Sequence, residues 1–239
     1  MAGAVIVGAG DFPRKEYPRY IVRSADRIVC CDGALKTWLR VAPALFGHER
    51  MPDMVVGDMD SLSPALQKKF AGRIFHVDEQ DFNDQTKALR FVLAEWPDVD
   101  TIHFVGATGK REDHTIGNMA LLMEYARALD GRIAPSDGLS AMMDKALEPY
   151  RGRGLQLEMV TDFCTAAAFT DSVSLCVGQG RKVSIFSSDN SLKIKSAGLQ
   201  WPTDDVVFDG LWKATLNRAA EDTVTLTLSH PAPVLVILS

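Results

Sequence analysis

The first two-thirds of the chain alternates short apolar runs with segments of helical periodicity, and this alternation constrains the fold more than any other feature. Such an order predicts βαβ units and therefore a mostly parallel sheet. Strands are predicted over residues 4–7, 27–31, 54–56, 74–77, 101–105 and 155–160. Helices are predicted from Ser63 and Pro64 onward, over 84–96, over an apolar stripe that ends near Gly131, and over 140–147.

The pattern changes after about residue 170, where short alternating runs are separated by turn residues. The runs cover 172–177, 181–186, 192–196, 206–208, 211–216, 222–228 and 234–238. This spacing predicts a small all-β sandwich. A chain of 239 residues is long enough for two domains. We therefore expect an α/β domain over residues 1–168 and a β-sandwich domain over 169–239.

Composition and charge exclude several classes of function. The net charge of −5 gives no electrostatic footprint for nucleic-acid binding. The four cysteines form no C-x-x-C pair, and the adjacent Cys30 and Cys31 are predicted to be small buried apolar residues in a reducing compartment. No signal peptide is recognisable, and no apolar run is long enough to span a bilayer. We expect a cytoplasmic protein without a membrane partner.

The sequence VVGDMDSL places Asp58 and Asp60 directly after a predicted buried strand. Two carboxylates about 4 Å apart repel each other by roughly 4 kcal/mol at an effective dielectric near 20. A divalent cation between them removes that cost, and hard oxygen ligands suit Mg²⁺ together with substrate phosphates. The alternative is that both are loop acids that cap turns or a helix.

Polar residues and glycines also follow the other predicted strands, and in a parallel sheet these points share one edge. They are Gly8, Gly10, Asp11, Asp32, Asp78, Asp81, Asp84, Gly106, Gly109, Lys110, Arg111 and Asp113. We expect one crevice in which acids meet a glycine-rich, phosphate-binding turn.

Each of these residues also has a purely structural interpretation. Asp84 occupies a helix N-cap position, and the segment from Gly106 to Gly109 could be only a tight turn. Arg111 could be a solvated surface charge, and His114 a structural residue near a helix start.

Two familiar nucleotide-binding motifs are incomplete. Gly8 and Gly10 lack the third glycine of the dinucleotide fingerprint, because Pro13 occupies that position. Gly106, Gly109 and Lys110 resemble a P-loop in composition but lack its spacing. Neither a nicotinamide enzyme nor a P-loop kinase is favoured.

Taken together, the motifs resemble those of the thiamine pyrophosphokinase family. CDGA at 31–34 and GDMDS at 57–61 match two of its turns, and EQDFNDQTKAL at 79–89 resembles a third segment. GATGKREDHTIGN at 106–118 resembles its glycine-rich loop, with Arg111, Asp113, His114 and Asn118 in place. GLQWP at 198–202 and TLN at 215–217 resemble its thiamine-binding portion. The ordered set covers nearly the whole chain.

The resemblance implies an α/β domain followed by a β-sandwich, a homodimer with active sites between subunits, and transfer of a diphosphoryl group from ATP to thiamine. It implies a catalytic set of Asp58, Asp60, Asp84 and Arg111, in which the three carboxylates hold Mg²⁺. It implies ATP binding by Asp32, Gln80, Asp81, Lys87, Gly106, Thr108, Gly109 and Asp113. It implies thiamine binding by Trp201, Thr215 and Asn217, although Trp201 could instead be an ordinary core residue of the sandwich.

The chain departs from the family pattern at four positions. Glu79 replaces Asp, Asn83 replaces Thr, Lys110 replaces a glycine, and Leu216 stands where Ser is frequent. Two other functions are also compatible with the sequence. One is a metal-dependent nucleotidyl- or glycosyltransferase, and the other is a non-catalytic nucleotide sensor.

Overall fold

The computed structural model describes residues 2–239. The chain divides into two compact units that are interleaved along the sequence. The first runs to Asn118 and includes Arg153–Asp162, and the second comprises Met119–Gly152 and Phe163–Ser239. The single boundary predicted between residues 168 and 169 stays a prediction.

The first unit is built on a parallel sheet. Its strands are β1 (Ala2–Val7), β2 (Arg27–Cys31), β3 (Met54–Gly57), β4 (Ile74–His76), β5 (Val99–Val105) and β6 (Gln156–Val160). They lie in the order β6-β5-β1-β2-β3-β4, and each neighbouring pair is parallel. The predicted mostly parallel sheet is confirmed. Because the strand order reverses between β1 and β5, the carboxyl ends of these two strands open a crevice where α/β sheets bind ligands.

The helices are α1 (Glu16–Ser24), α2 (Leu35–Phe46), α3 (Pro64–Lys69), α4 (Asp84–Glu95), α5 (Glu112–Asp130) and α6 (Gly138–Leu147). Short 3-10 turns cover Asp32–Ala34, Ala71–Arg73 and Glu148–Tyr150. Helix α3 begins as predicted, because the Ser63 side chain accepts a hydrogen bond from the Leu66 N–H at 3.4 Å and Pro64 is the first helical residue. Helices α1 and α2 were not predicted, and each carries an internal proline that masks its apolar stripe.

The central strands of the first unit form its core. Strand β1 is fully buried from Ala4 onward, and β2 is buried from Ile28 to Cys31. The predicted burial of Cys30 and Cys31 is confirmed, and it raises the pKa of each thiol. No helix among residues 2–239 combines the length and apolar character needed to cross a bilayer.

The second unit contains a small antiparallel β domain. Its strands are β7 (Thr165–Phe169), β8 (Val173–Cys176), β9 (Lys182–Ser187), β10 (Ile194–Ala197), β11 (Ala214–Arg218), β12 (Thr223–Leu228) and β13 (Val234–Leu238). They form two sheets, in the orders β11-β9-β13-β7 and β10-β12-β8. Val183 and Val236 from one sheet share a core with Ile194 and Leu226 from the other, as in a sandwich.

Two details of this domain differ from the sequence-based prediction. Residues 206–208 form no strand, because Phe208 is buried from an irregular segment in which the Val206 N–H bonds to the Thr203 carbonyl. Strand β7 was missed, since three of its five residues are alanine, a residue type depleted in strands.

Candidate active site

Two loops at the carboxyl ends of β1 and β5 are joined by backbone hydrogen bonds. The Gly10 N–H donates to the Gly106 carbonyl at 2.7 Å, and the Asp11 N–H donates to the Thr108 carbonyl at 2.8 Å. A Cβ on Gly10 would lie only 2.2 Å from the Thr108 oxygen, and Gly106 has a φ of +63°. The glycines are therefore required for a close approach of the two backbones. Thr108 contributes its backbone to this contact.

A cavity of about 270 Å³ opens beside these loops within the first unit. Four of its lining residues were predicted as site residues: Asp84, Gly106, Gly109 and Arg111. Lys110, His114, Asn83 and Asn118 also line it. The segment from Gly106 to Gly109 is a tight turn, and it also presents backbone to the cavity. Because α5 begins just after this turn, the arrangement suits an anion.

Sequence reasoning did not place the two asparagines in the site. The Asn118 Nδ2 donates to the Ala107 carbonyl at 2.7 Å, and the Asn83 Nδ2 donates to the Asn118 Oδ1 at 2.7 Å. These bonds connect the start of α4 to α5 and to the glycine-rich loop. The signal for Asn118 was its place at the end of the segment GATGKREDHTIGN, which resembles the glycine-rich loop of the family.

Asp84 is not a helix cap. Asn83 caps α4, because its Oδ1 accepts a hydrogen bond from the Thr86 N–H at 3.0 Å. The capping interpretation of Asp84 is therefore wrong. Asp84 is the first helical residue, and its carboxylate lines the cavity.

Asp58 and Asp84 flank the buried ammonium of Lys87. The Lys87 Nζ lies 3.9 Å from Asp58 Oδ2 and 4.0 Å from Asp84 Oδ1. The Lys87 side chain is only 2% exposed. Burial and then the charge of Asp32 raise the pKa of Asp84, whereas hydrogen bonds from Gln80 and the Asp60 backbone lower the pKa of Asp58. The cation offsets part of the repulsion between its two neighbours.

Asp32 is the most deeply buried acid of this group. Its Oδ2 accepts the Ser61 N–H at 3.3 Å, while its buried Oδ1 has no hydrogen-bond partner within residues 2–239. Burial raises the pKa of Asp32, with a further contribution from the charge of Asp58. An unpaired buried carboxylate oxygen is costly unless a ligand or cation satisfies it.

The other predicted site residues near Asp58 are more exposed to solvent than Asp32 is. The Gln80 Nε2 donates to Asp58 Oδ2 at 3.2 Å, and the Asp60 N–H donates to Asp58 Oδ1 at 3.2 Å. The Asp60 side chain is exposed, and Asp81 is exposed and outside the cavity lining. The structure thus brings Asp58, Gln80 and Lys87 together, whereas none of these three residues lines the cavity.

The donor set has the chemistry that Mg²⁺ requires, namely carboxylate oxygens and the unpaired Asp32 Oδ1. Within the described part of the chain, however, no three His, Cys, Asp or Glu side chains are close enough together to form a metal site. The predicted set of Asp58, Asp60 and Asp84 stays a prediction.

Arg111 and Asp113 form a bidentate pair at the mouth of the cavity. The Arg111 Nε and Nη2 donate to the two Asp113 oxygens at 3.1 and 2.5 Å. This pair lowers the pKa of Asp113. Arg111 is solvent-exposed, as expected of a surface charge, and it also lines the cavity, so its phosphate-binding role stays a prediction. Asp113 thus fixes the position of the Arg111 guanidinium.

A second cavity, of about 300 Å³, lies in the β domain of the second unit. All three predicted thiamine-binding residues line it: Trp201, Thr215 and Asn217. Trp201 is 54% exposed, so the interpretation of this residue as a sandwich-core tryptophan is wrong. Lys213 and Leu216 also line the cavity.

Among residues 2–239, three residues other than glycine have a positive φ: Met59 at 66°, Lys110 at 62° and Leu216 at 61°. Each lies in one of the site motifs, and such backbone strain costs about 1–3 kcal/mol per residue. Met59 is buried between Asp58 and Asp60 and packs into the core. Strain at these three positions is typical of functional sites, where surrounding contacts hold an unfavourable conformation.

The fold and the two cavities define a class of protein. It has an α/β unit in which a glycine-lined cavity suited to an anion lies beside carboxylates, and an antiparallel β domain with a pocket of its own. Two family models match the chain in this order. The model described as "Thiamin pyrophosphokinase, catalytic domain" matches residues 18–133, and "Thiamin pyrophosphokinase, substrate-binding domain" matches residues 165–232. The chain belongs to the thiamin pyrophosphokinase family.

Individual relatives agree with this assignment. Thiamine pyrophosphokinase 1 of Oryza sativa is 29% identical over 128 residues, an alignment that covers 46% of this chain and 48% of the relative. The match thus spans about half the length of that curated relative. Among solved structures, thiamin pyrophosphokinase of Candida albicans superposes with a TM-score of 0.70 at 14% identity, covering 99% of this chain and 88% of the other. The Geobacillus thermodenitrificans protein gives 0.67 at 20% identity, with coverage of 99% and 97%. At these identities the solved structures show the fold alone.

Proposed function

We propose that this protein is a thiamine diphosphokinase, an enzyme that converts ATP and thiamine to thiamine diphosphate and AMP. The observation that carries the proposal is that Asp84 lines the glycine-lined cavity and, together with Asp58, flanks the buried ammonium of Lys87. Membership of the family supports the same reaction.

The reaction is an in-line displacement at phosphorus. The thiamine hydroxyl oxygen forms a bond to the β-phosphorus of ATP, the bond between that phosphorus and the oxygen bridging to the α-phosphate breaks, and AMP leaves. The hydroxyl proton passes to a carboxylate, for which we favour Asp84, which lines the cavity, over Asp81, which does not. Phosphoryl-type transfers depend on alignment and charge neutralisation more than on covalent help from the protein.

Two cations have separate roles in this proposal. Arg111 is exposed at the cavity mouth, where its guanidinium can hold phosphate oxygens with Asp113 as its orienting partner. Lys87 is buried between two carboxylates, so it holds them in place. The Gly106–Gly109 backbone completes the phosphate cradle.

Asp58, Asp60 and Asp84 would hold Mg²⁺, and the unpaired Asp32 Oδ1 supports a cation in this region. The ion, when bound, supplies charge neutralisation for the triphosphate. Its charge would also offset the repulsion among the acids.

The second cavity suits thiamine, which carries a cationic thiazolium and a flat pyrimidine. The exposed indole of Trp201 can stack on either ring. Stacking on the cationic thiazolium would add a cation–π contribution of roughly 0.5–2 kcal/mol. Thr215 Oγ1 already donates to the Trp212 carbonyl at 2.7 Å, so its lone pairs remain as acceptors. We further propose a cytoplasmic homodimer in which active sites form between subunits.

The test is to incubate the protein with ATP, Mg²⁺ and thiamine and to identify the adenine-containing product. AMP together with thiamine diphosphate is the expected result. Pyrophosphate or a nucleoside diphosphate as the released product would indicate a nucleotidyl- or glycosyltransferase. Tight ATP binding without consumption would indicate a sensor, and either outcome overturns the proposal.

A further inference from the structure

Lys110 is an unusual residue for its position in the glycine-rich loop. It follows Gly109 with a φ of +62°, a conformation that glycine adopts freely and lysine rarely does. The motif that this loop resembles has glycine there. A lysine held in a strained conformation at a cavity edge suggests that its side chain has a use.

The Lys110 side chain reaches back across the cavity edge to the first loop. Its Nζ donates to the Ala9 carbonyl at 2.6 Å, and both residues line the cavity. This hydrogen bond connects the loop after β5 to the loop after β1, in addition to the backbone bonds described above. The contact fixes the ammonium next to the glycine-lined backbone.

Of the two basic side chains Lys110 and Arg111 at this cavity, only Arg111 is paired with a carboxylate. Arg111 is paired with Asp113 through two hydrogen bonds. Lys110, by contrast, has no carboxylate within 4.0 Å among residues 2–239, and its partner is a neutral carbonyl. An ammonium has three donor hydrogens, so two remain for a ligand.

We propose that Lys110 is a phosphate-binding residue of this cavity, which holds the polyphosphate of ATP through its ammonium group. The inference rests on the proposed function for the identity of the nucleotide. Lysine binds phosphate as a compact point charge, and it would replace the closer backbone approach that a glycine permits. This chain would then hold its nucleotide differently from relatives with glycine at that position.

The experiment measures binding of α,β-methylene ATP in the presence of Mg²⁺ by titration calorimetry. This analogue is not cleaved at the bond that the proposed reaction breaks. Lys110→Met removes the charge and keeps the length of the side chain, Lys110→Arg keeps the charge, and Lys110→Gly also relieves the strained φ. Lys68→Met, on the exposed surface of α3, is the matched control.

We expect Lys110→Met and Lys110→Gly to weaken analogue binding by about tenfold or more, with a shallower salt dependence, and to raise KM for ATP more than they lower kcat. Lys110→Arg should restore affinity to within about threefold, and Lys68→Met should match the wild type. Lys110→Gly should melt no lower than the wild type, which separates lost binding from lost folding.

Wild-type affinity and salt dependence in Lys110→Met would overturn the inference and leave only a structural contact with Ala9. If the wild-type protein binds the analogue but forms no AMP from ATP and thiamine, the proposed function alone is overturned. A wild-type protein that does not bind the analogue at all would overturn both.

Discussion

The side-chain amide of Asn217 holds both backbone polar atoms of Trp201. The Asn217 Nδ2 donates to the Trp201 carbonyl at 2.6 Å, and its Oδ1 accepts the Trp201 N–H at 3.2 Å. Asn217 is only 6% exposed, so these bonds are shielded from water. Because both ends of the amide are engaged, we expect Asn217 to act on a ligand of the second cavity by positioning Trp201.

Asn217→Ala should weaken thiamine binding through Trp201. The substitution leaves two partly buried backbone groups of Trp201 unpaired, which costs about 1–3 kcal/mol in the free energy of unfolding. We expect KM for thiamine to rise several-fold while KM for ATP stays unchanged. Steady-state kinetics and urea denaturation measure the two effects. Asn190→Ala, in an exposed turn, is the control, and equal thiamine KM values in both variants would contradict the positioning role.

Asp60→Asn should abolish most turnover without affecting folding. The side chain is exposed, so the loss of its charge should change the unfolding free energy by less than about 0.5 kcal/mol. If Asp60 helps to hold the ion, kcat should fall by about 10²–10³, the range seen when an electrostatic contact to a transition state is removed. Asp98→Asn, on an exposed turn before β5, is the control. Full turnover in Asp60→Asn would remove this residue from the metal set.

Gly10→Ala should disrupt the phosphate cradle. The added Cβ would lie 2.2 Å from the Thr108 oxygen and 2.6 Å from the Gly106 oxygen, and both contacts are with backbone that cannot rotate away. We expect a drop in melting temperature and a loss of ATP binding of at least tenfold. Gly72→Ala is the matched control, because a Cβ there meets nothing within 4 Å, and it should be neutral or slightly stabilising. Similar melting temperatures for the two variants would show that the loops can separate at little cost.

Asp130→Asn should remove a pH-dependent contribution to stability. Hydrogen bonds from Arg132 and then Thr170 lower the pKa of Asp130 to about 2, although its burial opposes this effect. Because the folded pKa lies below the unfolded value near 3.9, the ion pair stabilises the protein above about pH 4 and loses that effect as the pH falls toward 2.

We therefore expect Asp130→Asn to lower the unfolding free energy by about 1–2 kcal/mol at pH 7, a figure reduced for the solvent exposure of Arg132. The difference from the wild type should shrink steadily below pH 4. Urea denaturation at a series of pH values measures it, with the exposed Asp204→Asn as control. A difference that is constant from pH 7 to pH 3 would contradict the assignment.

The sequence predicted the parallel sheet well, because buried strands leave continuous apolar runs that stand out in the chain. It predicted α3 from the Ser63–Pro64 pair, whose capping geometry is local. It missed α2, where Leu35, Trp38, Ala42 and Leu45 are buried but Pro43 interrupts the helical pattern. Tertiary packing tolerates this proline, a fact that local propensity does not reveal.

The sequence predicted which residues belong to the candidate site better than it predicted how they are arranged. Asp58, Asp84 and Gly106 were predicted as site residues because they follow strands, and a parallel sheet brings the ends of its strands to one edge. Nothing in the sequence indicated that Lys87 is buried between two of the acids, because a lysine on a helix is usually solvated. The sequence also did not indicate that Asn83, and not Asp84, is the N-cap of α4.

What the sequence by itself determined was the order of elements and the residue types at strand ends, since periodicity and turn chemistry act between near neighbours in the chain. Tertiary structure decided which of those residues meet. The Asn217 contact with Trp201 and the Lys110 contact with Ala9 join residues 16 and 101 positions apart. Such pairs form only when sheet order and loop packing are fixed, because their bonding depends on distances that no local pattern contains.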